Sequence, residues 1–169
     1  MTRVGITGHR QLDDPAAWLW VADAMKAELA GVKPPLVGIT SLAVGADQVL
    51  ARVVLELGGE IYAVLPFAGI ERSFSAEELQ AYRDLVNRAT VEILDVPGTD
   101  SDAYLAAGQR VVALSDLLLA VWDGMEAKGR GGTADIVALA VRHRVPLIHM
   151  NPISRTIERI IYQDDSGSS

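Results

Sequence analysis

Short apolar runs alternate with longer segments of helical periodicity along most of this chain. The runs are rich in β-branched residues and stop at Gly, Pro or polar positions, which is typical of strands. They predict strands at Arg3–Thr7, Leu36–Ser41, Glu60–Leu65, Val91–Val96, Leu117–Trp122 and Pro146–His149. The segments between them predict helices at Pro15–Ala30, Ala46–Leu57, Ser75–Asn87, from Ser101 or Asp102 onwards, at Thr133–His143 and in the terminal segment Ile153–Tyr162.

This alternation predicts an α/β fold, in which helices cover both faces of a mainly parallel sheet of about six strands. Leu117–Trp122 is apolar almost throughout, as expected of a strand that is buried on both faces. We predict a three-layer sandwich formed by one domain over residues 1–162, followed by a flexible polar tail over residues 163–169.

The amino-acid composition excludes several classes of site and disfavours others. The 169 residues include no Cys, which excludes disulfides, zinc-thiolate sites and thiol catalysis. No apolar run approaches the roughly 20 residues of a membrane helix, and the N-terminal residues lack the order of a secretory signal, so we expect a cytoplasmic protein without a membrane partner. The formal net charge of −7 disfavours a broad phosphate-binding surface, so we do not expect nucleic acid as a partner.

Ligands of open parallel sheets bind beyond the carboxyl ends of the strands, so the residues that follow each strand are the candidate site. Gly8, His9 and Arg10 follow the first strand. Gly8 allows close approach of the backbone, His9 can bond or titrate, and Arg10 can pair with a phosphate. The alternative interpretation is a tight turn with a solvated Arg.

The second strand leads through small residues into a helix. Ser41, Gly45 and Ala46 place free amides and a helix N-terminus at one point, which favours an anion. Asp47, in the first helical turn, either complements the helix dipole or binds ribose hydroxyls. The pattern is neither the dinucleotide-binding glycine motif nor a P-loop. Pro66 closes the third strand at the same predicted edge.

The fifth strand is followed by the most informative segment, Asp123–Asp135. It contains the glycines Gly124, Gly131 and Gly132, and it leads directly into a helix, so its amides can cradle a phosphate. Thr133 is expected to cap that helix and to donate to a ligand oxygen. Asp123, at the strand end, can accept bonds from sugar hydroxyls. The alternative is a loop with an ordinary cap. No sequence pattern of a metal site is present.

Four motifs extend over roughly Arg3 to His149: GITGHR, SLAVGAD, LP and SDLLLAVWDG with GRGGTADIVALA. Together they resemble the SLOG superfamily of Rossmann-like domains, which includes DprA and the LOG phosphoribohydrolases. The last of them also resembles nucleoside deoxyribosyltransferases. The resemblance implies a nucleotide or nucleoside phosphate as the ligand, with no further cofactor assigned, and a homo-oligomeric assembly.

The resemblance is incomplete at the positions that would carry catalysis. The enzymes of the group have a Glu where this chain has Ile136, and the LOG enzymes have an Arg where it has Ala107. Asp123 and Asp135 are the remaining catalytic candidates for chemistry at an N-glycosidic bond. We therefore favour binding or sensing of a nucleotide. The alternatives are an N-glycosidase, phosphoribohydrolase or deoxyribosyltransferase-like enzyme and, third, a structural or partner-binding module.

Overall fold

The computed structural model describes residues 1–126 and 132–163, and in these ranges seven strands form one sheet. The strands are β1 (Thr2–Gly8), β2 (Leu36–Thr40), β3 (Glu60–Leu65), β4 (Ala89–Ile93), β5 (Leu117–Val121), β6 (Leu147–Asn151) and β7 (Thr156–Ile160). The helices are α1 (Ala17–Ala30), α2 (Ala46–Glu56), α3 (Ala76–Val86), α4 (Asp100–Leu114) and α5 (Thr133–Arg142). The predicted α/β architecture is confirmed, with one strand more than expected.

The strand order is β4-β3-β2-β1-β5-β6-β7, and every pair is parallel except β6 with β7. From β1 the chain adds β2, β3 and β4 on one side, and it then crosses back to place β5 on the other side of β1. The carboxyl ends of β1 and β5 therefore form the topological switch point, where open α/β sheets bind ligands.

Both faces of the sheet are covered by helices. One apolar cluster joins α1 and α2 to β1, β5 and β6, and a neighbouring cluster adds α3 against β3. A third cluster packs α4 and α5 against the opposite face. Burial on both faces explains why Leu118, Leu119, Ala120 and Val121 are all fully buried.

The terminal segment departs from the prediction. Ile153–Tyr162 was expected to be helical, but Thr156–Ile160 forms β7 and pairs antiparallel with β6. The Asn151 side chain accepts bonds from the amides of Ile153 and Ser154 and so stabilises the turn between the two strands. Pairing satisfies the backbone groups that β6 would otherwise expose at the edge of the sheet.

Smaller differences occur in the bounds of β4 and at the start of α4. Strand β4 begins two residues before the predicted Val91 and ends at Ile93. Helix α4 is capped by Thr99 in a capping box with Asp102, ahead of the predicted start at Ser101 or Asp102. Helix α3 is capped in the same way, by Ser75 in a capping box with Glu78. No helix in the described ranges has the length and apolar character needed to cross a membrane. Residues 164–169 lie outside the described residues.

Candidate functional site

A cleft of about 1020 Å³ lies at the carboxyl ends of the strands, over the switch point between β1 and β5. Nine of the residues predicted from sequence line it: Gly8, His9, Arg10, Ser41, Asp47, Pro66, Asp123, Gly132 and Thr133. Gly45, Ala46 and Gly124 are not among its lining residues, and Gly131 lies outside the described residues. The three glycine-bearing turns after β1, β2 and β5 therefore meet at one cleft.

The loop after β1 is fixed by bonds to both of its neighbours. The His9 amide donates to Val121 O over 3.1 Å, and the His9 carbonyl accepts from the Ala46 amide over 3.1 Å. The amide of Asp123 donates to His9 Nε2 over 3.1 Å. These bonds connect the end of β1 to the start of α2 and to the residues that follow β5. They hold His9 and Arg10 at the switch point.

Gly8 and Gly45 have a packing role that the sequence analysis did not identify. A Cβ on Gly8 would lie 2.6 Å from the Ala46 Cβ, and a Cβ on Gly45 would lie 2.5 Å from the His9 carbonyl oxygen. Gly45 also has a φ of +92°, in the region that favours glycine. Both glycines allow protein backbone segments, rather than a ligand, to approach each other.

The loop after β2 already contains an anion, the carboxylate of Asp47. Asp47 Oδ2 accepts from the Ser41 amide over 3.1 Å, and the Ala43 amide also bonds to this side chain. The first amide of α2, that of Ala46, is taken by His9 O. The expected anion-binding loop at Ser41, Gly45 and Ala46 therefore directs three of its amides to groups within the protein.

Asp47 is buried, with only 8% of its surface exposed. Burial raises the pKa of the Asp47 carboxyl to about 6, against the opposing effects of bonds from Ser41, Thr40 and Ala43 and of the charge of Arg10. Asp47 was expected either to complement the helix dipole or to bind ribose hydroxyls, but its contacts show a third role, which is to accept bonds from the amides of its own loop. The residue also lines the cleft.

Arg10 is the cationic group of the cleft that the sequence analysis singled out. Its guanidinium lies 5.2 Å from the ring centroid of Tyr104 on α4, within the range of a cation–π contact. Tyr104 in turn packs edge-on against Phe67 at 5.7 Å between centroids. No described carboxylate forms an ion pair with Arg10. Arg155, which also lines the cleft, lies 3.8 Å from Asp14 Oδ2.

Tyr104 is a site residue that sequence reasoning missed. It lies in the first turns of α4, whose N-terminal end borders the cleft through Ser101 and Tyr104. The only signal in the sequence is an aromatic residue near the start of a helix that approaches the ligand edge, and such a residue more often belongs to the core.

Ile136 and Ala107, the two positions at which the enzymes named in the sequence analysis have catalytic residues, are apolar and buried in this chain. Ile136 on α5 is 3% exposed and Ala107 on α4 is 2% exposed, and both belong to one core cluster. Ile136 lies so close to Gly108 that a Cβ there would meet its Cδ1 at 2.5 Å. Both residues form part of the cleft wall, so this wall is hydrocarbon where an enzyme would place charges.

The two catalytic candidates differ in position. Asp123 lines the cleft, and its Oδ1 accepts from the Met125 amide over 2.9 Å and lies 3.6 Å from His9 Nε2. Asp135 is exposed on α5 and is not among the described residues that line the cleft. Thr133 is the first residue of α5, and Gly132 occupies the N-cap position with no side-chain cap, which corrects the prediction that Thr133 is the cap.

Comparison with known proteins gives matches to solved structures. No protein-family model and no curated protein matches the sequence. DNA processing protein A from Helicobacter pylori, described for its single-stranded DNA binding mode, has 19% identity and a TM-score of 0.64, and the match covers 89% of this chain and 65% of that chain. DprA from Streptococcus pneumoniae has 19% identity and a TM-score of 0.65, over 89% of this chain and 50% of that chain.

A third similar structure is the molybdenum cofactor (Moco) carrier protein from Chlamydomonas reinhardtii. It has 21% identity and a TM-score of 0.54, and the match covers 90% of this chain and 79% of that chain. At these identities the similarity shows the fold alone, and for the fold it confirms the predicted resemblance to Rossmann-like domains such as DprA. The match covers 65% of the length of the H. pylori protein and 50% of the length of the S. pneumoniae protein, so this chain corresponds to only part of each.

The DprA match corrects one expectation. We did not expect nucleic acid as a partner because the formal net charge is −7, but a protein of this fold from H. pylori binds single-stranded DNA. The inference was wrong because net charge sums over the whole surface. Single strands are bound by local cations and aromatic rings, which a total charge does not report.

Proposed function

We propose that this chain binds a nucleotide or a nucleotide-derived small molecule in the cleft at the switch point, as a binding or sensing protein. The observation that carries the proposal is the convergence of His9, Arg10, Asp123 and Gly132 on one cleft from loops that are far apart in sequence. A volume of about 1020 Å³ suits a ligand of nucleotide size, since small-molecule sites usually enclose roughly 300–1,000 Å³.

The chemistry of the cleft supports the same proposal. Arg10 offers a planar guanidinium that can bond two phosphate oxygens, and the Tyr104 ring restricts its position. The N-terminus of α5 at Gly132 and Thr133 adds the positive end of a helix dipole. Ala107, Gly108 and Ile136 provide an apolar wall against which a base or another flat ring can pack.

Binding without turnover is favoured over N-glycosidic chemistry. An oxocarbenium-like transition state needs a carboxylate near the anomeric carbon, and the position that would supply it is Ile136. Of the two acidic candidates, Asp123 uses Oδ1 for the Met125 amide and Asp135 is exposed outside the lining of the cleft. Release of free base that depends on Asp123 would reverse this order.

Single-stranded nucleic acid is the second candidate ligand. The combination of Arg10, Tyr104 and Phe74 in one cleft is the kind of cation and aromatic set on which bases stack. Two proteins of this fold are DNA processing proteins, and the H. pylori protein binds single-stranded DNA. The same set would then contact one phosphate and one base of a strand.

Calorimetric titration with the four ribonucleoside 5′-monophosphates and a short oligodeoxythymidylate separates the candidates. We expect at least one monophosphate to bind and R10A to weaken it at least about tenfold, which corresponds to roughly 1.4 kcal/mol. R52A is the matched control, because Arg52 is exposed on α2 and is not a residue of the cleft. Binding of the oligonucleotide alone would select the second candidate, and no heat from any ligand at millimolar concentration would overturn both.

A further inference from the structure

His9 lies at the switch point with one of its two ring nitrogens already bonded by the backbone. From this geometry we infer that His9 binds the ligand as a neutral imidazole that donates one hydrogen bond from Nδ1. This inference rests on the proposed function and specifies which atom recognises the ligand. It makes His9 a residue that selects an acceptor, such as a phosphate oxygen, at the position next to Arg10.

The tautomer follows from the partner of Nε2. The Asp123 backbone amide lies 3.1 Å from His9 Nε2, and a backbone amide can only donate. Nε2 must therefore offer its lone pair, and the single proton of the neutral ring is on Nδ1. Since Asp123 directly follows Trp122, whose own amide is bonded to Met150 O at the end of β6, this donor is fixed by the sheet.

The other ring nitrogen is available to a ligand. Among the described residues none bonds to Nδ1, and 28% of the His9 side chain is exposed within the lining of the cleft. The nearest carboxylate oxygen, Asp123 Oδ1, is 3.6 Å from Nε2 and accepts from the Met125 amide. A donor that faces the cleft without a partner is a specific requirement on the ligand, because a ligand lacking an acceptor would leave it unsatisfied.

His149 provides an internal reference of the opposite tautomer. Its Nε2 lies 2.8 Å from the carbonyl oxygen of Trp122, and a carbonyl can only accept, so Nε2 of His149 carries the proton. His9 and His149 thus contact consecutive residues after β5, one through an acceptor nitrogen and the other through a donor nitrogen.

Nitrogen-15 NMR of the two imidazoles tests the tautomer without any ligand. At about pH 8 we expect His9 to show a protonated Nδ1 and an unprotonated Nε2, and His149 to show the reverse. Signals are assigned from the H9Q and H149Q variants. A protonated Nε2 on His9, or an imidazolium at this pH, would overturn the inference even if a nucleotide binds.

Two substitutions then separate ligand recognition from local structure. In H9Q the amide oxygen replaces Nε2 as the acceptor for Asp123 but no donor remains at Nδ1. In H9N the amide nitrogen replaces Nδ1 but the bond to Asp123 is lost. We expect H9Q to keep its melting temperature and to lose at least about tenfold in affinity for the best-binding monophosphate, while H9N loses less affinity and more stability.

The reverse order, in which affinity follows the melting temperature, would show that His9 is only structural and would overturn the inference. H143Q is the control, since His143 is exposed and does not line the cleft. If the unaltered protein binds none of the four monophosphates, the proposed function fails, and the NMR result still decides separately whether His9 presents a donor.

Discussion

The backbone amide of Asp123 donates to Nε2 of His9 over 3.1 Å, across a separation of 114 residues along the chain. This bond joins the loops that follow β1 and β5, the two parallel strands between which the order of strand addition reverses. It links the position of a cleft side chain to the geometry of the sheet, so the ligand edge is held by backbone groups that folding has already fixed. Preorganised donors of this kind lower the cost of ordering a site on binding.

Gly45, in the loop that leads into α2 beside the cleft, is expected to be highly sensitive to substitution. G45A would force an unfavourable φ of +92° and would place a Cβ 2.5 Å from the His9 carbonyl, so we expect a loss of about 3 kcal/mol or more. The matched control is G58A, since Gly58 has a φ of +78° and open space around its Cβ, and we expect a loss of about 1 kcal/mol. Urea unfolding of both variants measures the difference, and equal losses would contradict the packing role.

Asp47 is expected to make stability depend on pH in a specific direction. Its pKa is raised from 3.8 to about 6, so the folded state retains a proton that the unfolded state has lost between these values. The contribution of Asp47 is therefore fully present below about pH 4 and is lost as pH rises through 6, by about 3 kcal/mol in total.

The test of this prediction is a difference between two proteins. The free energy of unfolding of the unaltered chain minus that of D47N is expected to fall as pH rises from about 4 to 7, because Asn at this position does not titrate. Subtraction removes the other carboxylates of the chain. A difference that stays constant would show that folding does not shift the pKa of Asp47, and one that rises with pH would show that folding stabilises its charged form; either result would contradict the prediction.

Ile136 is expected to behave as a core residue, so that a carboxylate introduced at this position should destabilise the fold and not restore catalysis. I136E would place an uncompensated charge in a 3% exposed position against Gly108, at a cost of about 3 kcal/mol or more. I136V keeps an apolar side chain and is expected to cost about 1 kcal/mol. Thermal unfolding followed by circular dichroism compares the two, and a well-folded I136E protein that releases base from a monophosphate would reverse the interpretation.

The Tyr104 ring is expected to contribute to affinity through Arg10. Y104L removes the aromatic face that lies 5.2 Å from the guanidinium, so Arg10 samples more conformations and binding weakens about two- to fivefold, corresponding to roughly 0.5–1 kcal/mol. Y104F retains the ring and should lose less. Titration of both variants against the best-binding monophosphate measures this, and an equal loss in Y104F would assign the effect to the hydroxyl group.

The fold was predictable because most of its strands lie inside a parallel sheet and carry a strong apolar signal. The exceptions are at the edges. Ile153, Ile157, Ile160 and Ile161 are spaced as on a helix, yet Thr156–Ile160 pairs with β6 because the open edge of that strand offers backbone partners. At the other edge, β4 was predicted to reach Val96 but ends at Ile93. It ends there because its partner β3 stops before Pro66, and the last bond between them is from the Leu94 amide to Leu65 O.

The location of the cleft was predictable from the sequence, but the roles of its individual residues were not. Position after a parallel strand identified His9, Arg10 and Asp123, since topology alone brings these loops together. It could not show that Asp47 accepts the amides of its own loop, because a short sequence pattern does not distinguish an internal anion from a bound one. Tyr104 was missed for a related reason, since its role depends on Arg10 from a distant loop.

Amide chemical-shift mapping tests the central claim most directly. We expect titration of the nitrogen-15-labelled chain with the best-binding monophosphate to shift the amides of His9, Arg10, Ser41, Asp123 and Thr133 saturably, all at the cleft. The amides of Leu139 and His143, which lie at a separate hollow of about 400 Å³ away from these loops, should stay unchanged. Saturable shifts confined to that second hollow, or no shifts with any of the four monophosphates, would contradict the account.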